Sequence, residues 1–254
     1  QLWGFDASRS DFSDRYQTQT LEGQAVPVSP PAASAPEQYT TATPLVLYGL
    51  EFGLEPQARS RLEPMFQAEA NRHQRTGTLS ASGTALISSA PYVVHSPLVA
   101  NGEPWPALTD SGETTPQRIV STGVAYGYAA LFPDHPYSQT LVEAVGDRVD
   151  PEQGYYEGIY EGDRQSAQGF TNGTNSLVLQ AILYRRISAV PLVQPSSHPA
   201  SPWWQAIRSG SALNRGLPGS AAPQISLVTA TPPYWTTASG ASTAPAAPIH
   251  RPRR

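Results

Sequence analysis

The stretch "STGVAYGYAALFPDHPYSQTLVEAVGD", residues 121–147, is the one on which the fold reading turns. From Ser121 onward, Ala125, Tyr128, Ala129 and Phe132 fall at helical spacing. The break at Pro133-Asp134-His135-Pro136 interrupts that period, because proline lacks the amide hydrogen that a continuing helix needs. A second helix is predicted around residues 137–148. Helix, short break, helix is the pattern of an αα-hairpin.

Upstream, Thr43-Pro44 reads as an N-cap followed by proline at the first helical position, opening a short apolar helix that stops near Gly53. Pro56 opens a longer helix that ends at Thr76-Gly77, with glycine as the stop. Along it Ala58, Leu62, Met65, Phe66 and His73 share one face, and Pro64 is expected to kink or restart it. Residues 78–118 read as non-helical, with "TLSAS" and "PYVVHS" as a candidate strand pair before a loop, "NGEPWPALTDSGE". Downstream, "NSLVLQAILYRR" is apolar almost all round, as a buried helix would be. The fold class is therefore read as mainly α, built of αα-hairpins, with a small β-hairpin and long irregular Pro-rich ends.

Four segments follow: residues 1–22 as an N-terminal segment, 23–38 as a Pro/Ala-rich linker, 39–190 as the α-hairpin domain, and 191–254 as a Pro/Ser/Ala-rich, largely disordered tail. In that tail Trp203–Trp204 is the one feature able to pin it to the folded body.

The composition excludes several function classes. With no cysteine, disulfides, thiolate metal sites and cysteine nucleophiles are ruled out. All 16 basic residues are arginine, scattered up to the C-terminal Arg-Pro-Arg-Arg, and the net charge of −4 gives no nucleic-acid footprint. No run of about 18 apolar residues codes a membrane span. His73 and His95 stand alone rather than in metal spacing, so neither a metal nor another cofactor is implied. Gly-x-Ser-x-Gly and the phosphate and dinucleotide glycine patterns are absent.

The chemistry-bearing stretch is "GYYEGIYEGD", residues 154–163. Glu157 and Glu161 sit among aromatics, and glycoside hydrolysis uses one protonated and one ionised carboxyl. These two are the candidate catalytic residues; Asp163, with Glu51 farther upstream, completes the acidic set. Tyr155, Tyr156 and Tyr160 offer flat faces and hydroxyls to a sugar ring, and Trp105 is a stacking candidate at the groove edge. Asn172 and Asn175, in "FTNGTN", are candidate donors to sugar hydroxyls. A plainer account stands beside each: glutamates that tether the loop, tyrosines that pack, a tryptophan that plugs, and Thr and Asn that cap the next helix.

The blocks "LYGLEFG", "RHQRTGTLSAS", "PYVVHS", "NGEPW", "STGVAYGYAALFP", "GYYEGIYE" and "TNGTNSLVLQAILYR" resemble, in order, a bacterial family catalogued as domain of unknown function three-one-three-one. The resemblance covers roughly residues 39–187. That family is similar to six-hairpin glycosidases and is linked to exopolysaccharide gene sets. The resemblance implies part of an (α/α)6 toroid, a polysaccharide or oligosaccharide partner, and a periplasmic or extracellular location. It also implies glycoside hydrolase-like action, reduced or absent here. Where the family carries acids, this chain has Ser82-Gly83-Thr84 and Gln180.

Twelve helices with ordinary loops need roughly 200–240 residues. The helical region spans only about 145, which suggests the C-terminal half of a toroid. The missing half would come from an absent segment, from another protein, or from nothing. The alternative function is a non-catalytic scaffold or assembly subunit that docks onto another protein.

Overall fold

Proline and glycine punctuation sets the helices. In the computed structural model, which describes residues 17–28 and 40–193, α1 runs Thr43–Phe52 and ends at Gly53, whose φ of 90° lies in the left-handed region. Helix α2, Pro56–Thr76, starts at a proline, is N-capped by the Glu55 carboxylate and stops at Gly77. It continues through Pro64 without restarting there. Helix α3 is Thr122–Leu131, capped by the Ser121 hydroxyl, and α4 is Pro136–Val145, capped by His135. Helix α5, Asn172–Arg186, is capped by Thr171.

Helix α3 is the hub, packing on α1, α4 and α5. It is buried at nine of its ten positions, Tyr126 being the exception. Gly127 lets α1 approach, since a Cβ there would meet Val46 Cγ1 at 2.1 Å. Phe66 of α2 closes the core against α3 and the turn after it, edge-on to Tyr128 at 4.9 Å and stacked on Phe132 at 4.5 Å.

The expectation of a mainly α fold is not met. The described residues hold five helices and twelve strands, 40% helical and 21% strand, with the strands in several small antiparallel sheets. Strands β1 (Gln17–Leu21) and β2 (Gln24–Val28) form a hairpin, and β2 packs on α2, burying Leu21 and Val26. Residues 24–28, read as linker, are thus a strand. Strands β3 (Thr84–Leu86), β4 (Val93–His95) and β7 (Leu108–Thr109) form one three-stranded sheet. The partner of "PYVVHS" is therefore residues 84–86 rather than "TLSAS". Strands β5 (Val99–Ala100) and β6 (Glu103–Pro104) pair across the start of the expected loop.

The motif at 154–163 is also strand-built. Strand β8 (Ile119–Ser121) pairs with β11 (Gly158–Tyr160), which pairs with β12 (Ser166–Ala167), while β9 (Val149–Asp150) pairs with β10 (Gly154–Tyr155). A second, smaller core of Ala85, Ile87, Val94, Ala107, Ile119 and Ala167 joins residues of the β3–β4–β7 and β8–β11–β12 sheets, with Tyr160 against it. Because so much of the chain is sheet and loop, the helices do not make the succession of hairpins that part of a toroid requires. The expected disordered tail, including Trp203–Trp204, and the N-terminal segment before Gln17 lie outside the described residues.

Gly158, in the middle strand β11, tests this register. A Cβ there would sit 2.2 Å from the Val120 carbonyl oxygen, a backbone atom that cannot rotate away. In urea unfolding, Gly158→Ala should cost about 3 kcal/mol, at the upper end of overpacking penalties. Gly162→Ala, where a Cβ meets nothing within 4 Å, should stay within about 0.5 kcal/mol of wild type.

Candidate functional site

The charged centre of the fold lies where α2 meets the end of the 154–163 motif. Arg72 Nη1 and Nη2 donate to Glu161 Oε1 and Oε2 at 2.8 and 3.1 Å, and Arg118 Nε donates to the same Oε1 at 2.9 Å. Arg118 spends its remaining donors on the carbonyl oxygens of Ser96, Pro97 and Pro106. Trp105, at a left-handed φ of 54°, lays its ring beneath both guanidiniums, with Arg72 Cζ 4.4 Å from the ring centroid. Burial pushes the Glu161 carboxyl up, but the two arginines outweigh it and hold the group below its ordinary value. Burial in turn pulls Arg118 down, against the attraction of Glu161.

Directly behind this clamp is Glu69, fully buried on α2. Its Oε1 accepts from Ser82 N at 2.7 Å. The Tyr128 hydroxyl acts on this carboxyl and holds it down in part, but among the described residues neither Oε2 nor that hydroxyl makes a well-formed hydrogen bond. Loss of hydration dominates and pushes Glu69 up to about 7. Tyr137 completes the set: its hydroxyl donates to Ser80 O at 2.6 Å and accepts from Ser80 N at 2.8 Å.

Glu157 is somewhere else. Its side chain is buried, with Oε1 accepting from Thr171 Oγ1 at 2.5 Å and Oε2 from Leu86 N at 3.2 Å. The two candidate carboxylates therefore have separate partners, and every oxygen of both accepts an internal hydrogen bond. An acid catalyst must carry a proton at working pH, and Glu161 is held in the opposite state.

The remaining candidates are half-buried or surface groups. Tyr155 packs edge-on to Tyr126 at 5.3 Å, and its amide donates to Asn175 Oδ1 at 2.9 Å. Asn175 returns Nδ2 to Thr171 O at 3.0 Å, so it binds the motif to the start of α5. Asp163 closes a turn by accepting from Gln165 N, and Asn172 is exposed at the first position of α5. Tyr156 rests on Phe170 at 4.4 Å. Phe170, Gln153, Gln168, Ser88 and Thr171 line a hollow of about 400 Å³. Gln180 Oε1, where the family resemblance called for an acid, is buried without a protein partner.

Arg72, Arg118 and Glu69 were not among the candidates. Glu69 did leave a signal, falling in register with the apolar positions Leu62, Met65 and Phe66 of α2, where a carboxylate is out of place. Arg118 left none, because its partners are carbonyls of a loop and a glutamate far along the chain.

Residues 1–188 match the family described as "Protein of unknown function (DUF3131)". The chain belongs to this family. The match takes in the β1–β2 hairpin as well as the region 39–187 on which the resemblance rested. No curated protein and no solved structure gives a significant match. No helix among the described residues is long and apolar enough to cross a membrane.

Glu69 makes the centre pH-sensitive. Between about 4.5, its ordinary value, and about 7, the folded state keeps a proton that the unfolded state has released. Stability from this group therefore falls as pH rises through that window, by at most roughly 3 kcal/mol. Glu161 acts oppositely, its contribution being lost as pH falls below about 4.5. Urea midpoints measured from pH 5 to pH 8 should decline for wild type and stay flat for Glu69→Gln.

Proposed function

We propose that the protein contacts a polysaccharide through the hollow at Phe170 and holds it without hydrolysing it. The observation that carries this reading is the lining. A half-buried aromatic ring and the aliphatic Leu86 and Ile87 stand beside uncharged polar side chains, Ser88, Gln153, Gln168 and Thr171, in a space of about 400 Å³. Pyranoses present an apolar C–H face and a rim of hydroxyls. Phe170, braced from behind by Tyr156, suits the first, and the amides of Gln153 and Gln168 suit the second. A neutral lining favours an uncharged glycan.

The absence of hydrolysis follows from the carboxylates. Retaining and inverting mechanisms alike need one carboxyl free to give a proton to the leaving oxygen. Glu157 is tied to Thr171 and Leu86, and Glu161 to two arginines. Membership of an envelope or extracellular polysaccharide system fits the same reading.

The test is a glycan array read with reducing-end release on the bound glycans. Wild type should retain at least one neutral glycan, Phe170→Ala should weaken it about tenfold, and no reducing ends should appear. Failure to retain any glycan would refute the binding. Reducing ends that disappear in Glu157→Gln or Glu161→Gln would refute the non-hydrolytic part.

A further inference from the structure

The outer side of α5 carries a row of aliphatic side chains that no described residue buries. Leu179 is 64% exposed, Ile182 37%, Leu183 50% and Ile187 39%, while Leu177, Val178, Ala181 and Tyr184 of the same helix are buried. The row recurs at three- and four-residue steps over about two turns, the spacing of a helix–helix seam. Large aliphatics scattered singly need no explanation, but several on one stripe mark a contact surface.

Charge says what kind of partner fits. Helix α5 has no acidic residue, and its last turn carries Arg185 and Arg186, both exposed and in no ion pair among the described residues. A second copy of this chain would bring two more arginines to the same seam and meet like charge. Two arginines at one end are also few for an interfacial helix on a bilayer surface, whose polar face is rich in basic residues.

We propose that this face docks an amphipathic helix of another protein, with apolar residues at helical spacing flanked by Glu or Asp. Leu179, Leu183 and Ile187 receive the apolar residues, and Arg185 and Arg186 pair with the acidic flank. This interface stands apart from the hollow at Phe170, and either can fail without the other.

The probe is a labelled synthetic helix of about 18 residues with leucines at that spacing and glutamate flanks, titrated with the full chain in fluorescence anisotropy. A second peptide has the same leucines and lysine flanks. The glutamate peptide should bind at least about tenfold more tightly than the lysine peptide, and Leu183→Asp should weaken it by a similar factor. Arg185→Glu with Arg186→Glu should reverse the preference, which a folding defect could not do. Leu183→Asp should melt with wild type in circular dichroism, since the side chain is half exposed. Equal binding of the two peptides, or no effect of Leu183→Asp, would overturn the proposal. So would binding confined to phosphatidylglycerol vesicles, or a wild-type dimer that Leu183→Asp dissociates.

Discussion

Two arginines on one largely buried carboxylate organise this domain. Glu161 closes the 154–163 motif, Arg72 comes from α2, and Arg118 enters just before β8. The fork of Arg118 also gathers three carbonyls from residues 96–106, so a single guanidinium ties the loop, the strand and the motif together. Those carbonyls have no place in a sheet ladder, and an unpaired buried carbonyl is costly. A long irregular segment can therefore pass through the interior because one side chain satisfies it. Taking a partner from such a cluster leaves a charge buried alone, at a cost of about 3–5 kcal/mol.

The same arrangement governs what the motif can do. A carboxylate held below its ordinary value by two cations is a poor proton donor, and one wrapped by three hydrogen bonds is a poor nucleophile. Meanwhile Glu69, with one amide partner and no cation of its own, carries its proton up to about 7. The group with the titration of a general acid is thus sealed in the core, and the side chains that line the surface hollow carry no charge, with Glu157 buried behind them on Thr171 and Leu86. Binding, rather than bond cleavage, is the chemistry that this distribution favours.

Much of the helical part was legible in the sequence, because each boundary is fixed locally. Pro44, Pro56 and Pro136 sit in the first turns of their helices, and Gly53 and Gly77 end two of them at positive φ. Beyond the strand in "PYVVHS", the sheets were not legible for a physical reason. Strands of two or three residues show no alternation to detect, and their pairing partners lie up to about forty residues away, as with β8 and β11. Helix α5 misled in another way: its all-round apolar character suggested burial, yet one side faces outward. The site was half visible. Glu157, Glu161 and their tyrosines drew notice by composition, whereas the guanidiniums that set the state of Glu161 come from residues 43 and 89 positions away.

A double-mutant cycle decides whether the Arg72–Glu161 contact is an energetic keystone or a mere surface pair. Unfolding free energies of wild type, Glu161→Gln, Arg72→Met and the double variant should give a coupling of about 2 kcal/mol or more. Additive losses, within about 0.5 kcal/mol, would show that the two side chains sit together without holding the fold.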